Sequence, residues 1–334
     1  MFNEISLNST IVKTLETMRT LISLSLIGTI AFSACGQPSS YDREKIDVIK
    51  DNNSSVLMDA AMLYQDKWSE LAQPQFWKKI MRLSPDSCII NVASTRQIIA
   101  VTSFAKWRSQ TEEQKERYKD SIKLAYNLDT TERIYVTTGK NDFYRFSDVY
   151  PSLSKGVEAF ERYNVDPWYA QAILLIESPG QLKKSSAGAY GAFQLMPAVA
   201  RNQGLVVNKT VDERKDFDRS AYAASRLIRT ICIPEARKIV QKHQLSYNEQ
   251  DLWFRLLVLH VYHAGALNVA AAVDKIAPKK GGQELITALW QTTAANFGNN
   301  SQNYTQLALA SQLILHELVH ESSDYVHGCM TNKE

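Results

Sequence analysis

A chain of 334 residues, 45% hydrophobic and 22% charged, can bury a substantial core and hold one large domain or two ordinary ones. A formal net charge of +3 is too mild to argue for nucleic-acid binding, and the body contains no uncharged run long enough to cross a membrane. None of the four cysteines shows C-x-x-C spacing, so a zinc site is not suggested, and Cys88, Cys232 and Cys329 could form at most one disulfide.

In chain order, Leu21 to Phe32 is an uncharged, mostly apolar run preceded by Arg19, too short to span a bilayer and suited to a signal-peptide core over residues 1–34. Met18 offers an alternative start. The small residues Ser33 and Ala34 before Cys35 resemble a bacterial lipoprotein box, which implies acylation of Cys35 and a lipid-anchored, envelope-located protein. An ordinary cleaved signal with an incidental cysteine is the alternative. Residues 35–55, rich in Ser, Asn, Asp and Lys, read as a flexible tether. Residues 56–142 read as a helical region of unassigned role: Val56 to Leu71 has near-helical apolar spacing, and Thr111 with Gln114 forms a capping box opening a helix to about Asn127. Ile89 to Val101 fits helix or strand, and Ile134 to Thr137 a short strand. Gly139-Lys140 lacks the remaining residues of a phosphate loop.

Pro151 to Tyr163 is expected as a helix. Asp166-Pro167 then starts another, since the carboxylate can cap free N–H groups and proline loses nothing at the first helical position. That helix is apolar on nearly all sides and runs to about Ser178, with Pro179-Gly180 as its stop. Glu177 emerges in its last turn. Apolar surroundings and the negative helix end both disfavour the carboxylate, so the acid holds its proton towards neutral pH, as a general acid protonating a glycosidic oxygen requires. A glutamate reaching back to water at a helix end is the plain alternative. Further on, Ser220 to Ile231 is helical and interrupted by Pro234, and Asp251 caps a helix from Leu252 to about His263.

After Glu177-Ser178, the residues Ser185, Gly188, Ala189, Gly191, Gln194, Met196 and Pro197 spell S-x-x-G-A-x-G-x-x-Q-x-M-P. Small residues let backbone approach a ligand, while Ser185 and Gln194 can offer hydrogen bonds in a narrow groove. This motif resembles the one around the single catalytic glutamate of lytic transglycosylases with a goose-lysozyme-like domain. The segment Val211 to Asp216 is similar to the D-E-R-x-D stretch of their membrane-bound D-type members. Tyr262-His263-Ala264-Gly265 resembles the family's Y-N-A-G turn, with histidine in place of asparagine. Tyr304 falls where the family's E-T-x-x-Y motif has its tyrosine, with Ser301 and Gln302 in place of Glu and Thr. The resemblance implies Glu177 as catalytic acid and base, with Ser185, Gln194, Met196, Tyr262 and Tyr304 lining the substrate site and Tyr304 orienting the acid.

What the resemblance implies is a mainly α, lysozyme-like (goose-type) domain over residues 143–315, with an N-terminal helical extension, little β and a C-terminal tail over 316–334. It also implies cleavage of peptidoglycan glycan strands between N-acetylmuramic acid and N-acetylglucosamine, giving a 1,6-anhydro product without cofactor or metal. A hydrolytic muramidase on the same fold and a non-catalytic peptidoglycan-binding lipoprotein are the neighbouring alternatives. A third stems from His316-Glu317-Leu318-Val319-His320, a literal H-E-x-x-H that could place two zinc ligands on one helix face. Only fourteen residues follow His320, which leaves little chain for a third ligand. These side chains are therefore expected to serve packing or the surface.

Overall fold

The computed structural model describes residues 45–50, 53–59, 61–177 and 184–331. The expected signal peptide, Cys35 and the expected Pro179-Gly180 stop lie outside the described residues.

Strands β1 (Lys45–Lys50) and β2 (Asn53–Asp59) pair antiparallel, with Val48 opposite Ser55 and Ile46 opposite Met58. This hairpin occupies part of the stretch expected to be a tether and the start of the expected Val56 helix. Cross-strand pairing overrides the helical spacing there, because the partner strand is absent from any local window. The helix that follows, α1 (Ala61–Gln65), is short and stops at Lys67, whose φ of 58° breaks the helical path before a 3-10 turn at Trp68–Glu70.

From Met62 to Glu334 the chain forms one compact unit. Helix α2 (Ala72–Arg82) leads to a three-stranded antiparallel sheet in the order β4–β3–β5, made of β3 (Ser87–Val92), β4 (Ile98–Ser103) and β5 (Ile134–Thr138). Ile89 stands opposite Val101 on one side and Thr137 on the other. The ambiguous Ile89 to Val101 stretch is thus the hairpin β3–β4, turning at Arg96. Residues 56–142 are a mixed α/β region and not a helical one. Cys88, Ile90 and Val92 alternate onto one face of β3, where they pack with Trp107 of α3 (Phe104–Arg108), Ile122 of α4 (Glu112–Ala125) and Ile134. Thr111 and Gln114 close the expected capping box on α4.

The remaining chain is helical: α5 (Phe146–Arg162), α6 (Trp168–Glu177), α7 (Pro197–Asn202), α8 (Phe217–Leu227), α9 (Ile233–Lys242), α10 (Leu252–Ala264), α11 (Ala266–Ile276), α12 (Gln283–Leu289) and α13 (Asn299–Thr331). A π-helical turn, Ile228–Cys232, joins α8 to α9. Pro234 supplies no N–H to the preceding turn, and the wider turn absorbs the loss without stopping the chain's helical course. Helix α6 lies between α5 and α13, and α10 packs on α13. Gly156 of α5 makes the first contact possible, since a Cβ there would stand 2.6 Å from Leu174 Cδ1. Over residues 316–331 the expected tail is instead the continuation of α13, which runs unbroken to Thr331. The mainly α, lysozyme-like class holds, and the described β-strands all lie before Lys140.

Candidate active site

Helix α6 is buried from Trp168 to Ile176 on every side. Its start is fixed by Asp166, whose carboxylate accepts from the Trp168 N–H at 3.0 Å and pairs with Arg255 of α10 at 2.6 Å. The Arg255 guanidinium also lies over the Trp168 ring, 5.6 Å from its centre. A buried helix anchored at its first turn delivers Glu177, in its last, to a defined place.

Burial holds the Glu177 proton, raising its pKa from the ordinary 4.5 to about 7, and the Tyr304 hydroxyl of α13 opposes part of that rise. That hydroxyl is itself fully buried and forms no well-aligned hydrogen bond with any described group. It lies close enough to the carboxyl for its O–H dipole to favour the anion. Tyr144 and Tyr262 also feel the Glu177 charge, which together with burial keeps both phenols protonated. Among the described residues no second carboxylate bears on the proton of Glu177.

The loop after Glu177 is built by the residues of the small-residue motif. Ser185 Oγ accepts from the Ala189 N–H at 2.9 Å, closing a turn through Gly188. Tyr190 and Leu195 exchange two backbone hydrogen bonds of 3.1 Å, a miniature hairpin whose bend holds Gly191 and Gln194. Gln194 takes φ of 45°, and its amide donates to the Gly191 carbonyl at 2.9 Å. At Gly191 φ is +85° and a Cβ would stand 1.9 Å from the Arg214 carbonyl oxygen, so only glycine fits. Met196 is exposed at the start of α7. The Tyr262 hydroxyl donates to the Phe193 carbonyl at 2.6 Å, fastening the same hairpin to α10. The structure thus brings Glu177, Tyr262 and Tyr304 together, and shows the polar atoms of Ser185, Gln194 and Tyr262 engaged in shaping the loop.

Arg214, passed over in the sequence, is the clamp of this loop. Only 3% exposed, it forms a two-pronged pair with Asp212 at 2.8 and 2.7 Å and donates to the carbonyls of Gly188 and Leu195, both at 2.8 Å. Charge-assisted bonds of this kind fix geometry as well as contributing energy. The Asp-x-Arg spacing within Val211 to Asp216 was its only sequence signal.

His263 stacks on Tyr304 with ring centres 4.2 Å apart, and desolvation of its ring holds the imidazole below the usual histidine range. Nearby, a buried chain runs from Trp290 Nε1–H to Thr305 Oγ at 2.8 Å and from the Thr305 hydroxyl to His260 Nε2 at 2.9 Å. The other ring nitrogen of His260, Nδ1, is buried and forms no well-aligned hydrogen bond with any described group, though the Ser301 backbone acts on the ring. Burial pushes the His260 pKa down to about 3, so it stays neutral. Tyr144, buried between Phe143 and Phe146, and His260 were both missed in the sequence. A histidine inside the apolar run of α10 is a recognisable hint of a buried polar group, whereas nothing marks Tyr144.

The H-E-x-x-H residues point elsewhere. His316 Nδ1 lies 2.9 Å from the Tyr64 hydroxyl, and Glu317 pairs with Lys78 and, at 2.7 Å, with Arg82 of α2. The side chain of His320 lies outside the description. Among the described residues no cluster of three or more His, Cys, Asp or Glu could hold a metal ion. Cys88 and Cys232 are buried, unbridged thiols.

Residues 157–284 match the family model of the transglycosylase SLT domain. The matched span runs from α5 to α12 and includes Glu177, the clamped loop and Tyr262, while Tyr304 lies beyond it. Comparison with curated proteins finds no match. A proton-holding glutamate at the end of a buried helix, the small-residue loop beside it and the family match agree: residues 157–284 are those of a transglycosylase SLT domain, and the fold is the lysozyme-like, mainly α one.

Proposed function

We propose that the protein is a peptidoglycan lytic transglycosylase that uses Glu177 first as acid and then as base. The observation that carries the reading is the buried Glu177 carboxyl, protonated up to about pH 7, with no second carboxylate acting on it among the described residues. Most glycosidases that activate water or form a covalent intermediate use a pair of carboxylates at a set separation. A single acid suffices when the nucleophile is already part of the substrate.

In the proposed reaction the Glu177 carboxyl donates its proton to the oxygen linking N-acetylmuramic acid to N-acetylglucosamine, and the C1–O bond breaks. The resulting carboxylate takes the proton of the muramic C6 hydroxyl, whose oxygen bonds to C1. The proton count closes on the enzyme, no water is consumed and a 1,6-anhydro sugar is released. The Tyr304 hydroxyl supports the anionic half of this cycle, since it favours the carboxylate that forms after proton donation. Arg214 and Tyr262 hold the loop that walls the groove. General acid catalysis of this type contributes about 10²- to 10⁴-fold in rate.

The same proposal covers the cellular setting. The apolar Leu21 to Phe32 run and Cys35 support export and lipid anchoring, with the catalytic domain facing the periplasm from the outer membrane, and the Val211 to Asp216 segment supports kinship with the membrane-bound D-type enzymes. Mass analysis of products from purified murein tests the reaction. Wild type is expected to give anhydro-muramic ends and Glu177→Gln none. Reducing ends from the wild type would replace the reading with hydrolysis.

A further inference from the structure

A polar pocket of about 360 Å³, separate from Glu177, opens between the β3–β4 turn, the end of the α4–β5 loop and the first turns of α13. At its wall stands Arg96, only 6% exposed and held in the turn at φ of 61°. Its guanidinium is packed against the rings of Phe76, Trp77 and Tyr135 at 5.3, 5.6 and 5.5 Å, and one N–H donates to Asn303 Oδ1 at 2.9 Å. Among the described residues no carboxylate lies within 4.0 Å of it. Buried cations ordinarily have an anionic partner. Here the aromatic faces and one neutral amide do part of that work, and the remaining N–H groups of Arg96, which lines the pocket, have no acceptor among the described residues.

The rest of the wall has the same bias. Arg133 is exposed at the mouth and its guanidinium has no acceptor among the described residues. Glu132, the pocket's acid, is already engaged, accepting from the Ser94 N–H at 3.2 Å, the Ser94 hydroxyl at 2.8 Å and the Arg133 N–H at 3.2 Å. Gln291 adds an exposed amide with no side-chain partner among the described residues. Two guanidiniums against one satisfied carboxylate leave the pocket cationic, with planar donors suited to a carboxylate.

We propose that this pocket is a binding site for the carboxylate of an acidic peptide, of the kind attached to the glycan chain. The identification of the peptide rests on the proposed function, while the preference for a carboxylate rests on the pocket alone. The site is not isolated from the chemistry: Arg96 holds Asn303, the residue before Tyr304, and Gln302 lines the same pocket. A carboxylate bound there is therefore read by the same turn of α13 that presents the Tyr304 hydroxyl to Glu177.

Titration calorimetry with the full-length protein tests this, using L-alanyl-D-glutamic acid, its methyl diester and N-acetylmuramyl-L-alanyl-D-glutamic acid as probes. Wild type is expected to bind the acids and not the diester. Arg133→Gln, an exposed change that the fold tolerates, is expected to weaken binding about tenfold or more, by the worth of one charge-assisted contact. Tighter binding of the muramyl form assigns the site to peptides still joined to sugar, and equal binding assigns it to free peptide; either outcome upholds the carboxylate. Equal affinity for acid and diester, unchanged affinity in Arg133→Gln, or no binding of either acid at millimolar concentration would overturn the proposal. None of the probes contains the scissile linkage, so this result stands apart from the product analysis that tests the proposed reaction.

Discussion

Replacing Glu177 with glutamine is expected to stabilise the fold in mild alkali while removing turnover. The native carboxyl holds its proton to about pH 7, whereas the same group in an unfolded chain titrates near 4.5. Between those values the native state binds more protons than the unfolded one, so stability falls as pH rises, and above about pH 7 the full penalty is present. Below the unfolded value the carboxyl is neutral in both states and the penalty vanishes. At ~1.4 kcal/mol per pH unit the gap between 4.5 and about 7 is worth about 3 kcal/mol, less whatever the partial exposure of the half-buried Glu177 returns through solvation. Glutamine keeps the shape and is neutral throughout. Urea denaturation of both proteins near pH 4 and near pH 8 is the assay. The variant is expected to match wild type in acid and to exceed it by about 2 to 3 kcal/mol in alkali. A stability difference that is the same at both pH values, or a variant less stable in alkali, would refute the claim that burial holds the proton.

Other expectations follow from the same geometry. Tyr304→Phe removes the group that lowers the Glu177 pKa, so the alkaline limb of the kcat/KM profile is expected to move up by about one pH unit while the maximum falls; an unmoved limb would detach Tyr304 from the acid. Gly191→Ala drives a Cβ to 1.9 Å from a backbone oxygen at a positive φ, and thermal melting is expected to show a loss of about 2 kcal/mol or more. Glu317→Gln removes the pairs with Lys78 and Arg82 at a half-exposed site; it is expected to cost about 1 kcal/mol or less in denaturation and to leave murein cleavage, with or without chelator, unchanged.

Some of this site was legible in the sequence because the signals are local. An aspartate and proline ahead of an apolar run place a buried helix, and the run's last residue is then where an acid meets a low-polarity environment. The small-residue loop declares itself by composition, and the structure supplies the reason at Gly191, where a Cβ would meet the Arg214 carbonyl. What remained hidden depends on partners far away in the chain. Arg214 matters because it reaches carbonyls 19 and 26 positions earlier, which no spacing rule reveals. Tyr144 belongs to the site only through where Glu177 ends up. The N-terminal strands were obscured for a related reason: β3 is buried along nearly its whole length and lacks alternation, so its runs read equally well as helix until β4 and β5 are paired with it.

Helix α13 determines where this enzyme could be cut. Along one rod it carries Asn303 tied to Arg96, Tyr304 facing the acid, Gln306 accepting from the Trp77 indole at 3.0 Å, and Glu317 paired with α2. A recombinant fragment trimmed to the lysozyme-like core at residue 143 would leave that rod's flank bare of Trp77, Arg96 and α2, and the tyrosine that tunes the acid would lose its brace. The smallest portable catalyst therefore starts upstream of α2, within the compact unit that begins at Met62.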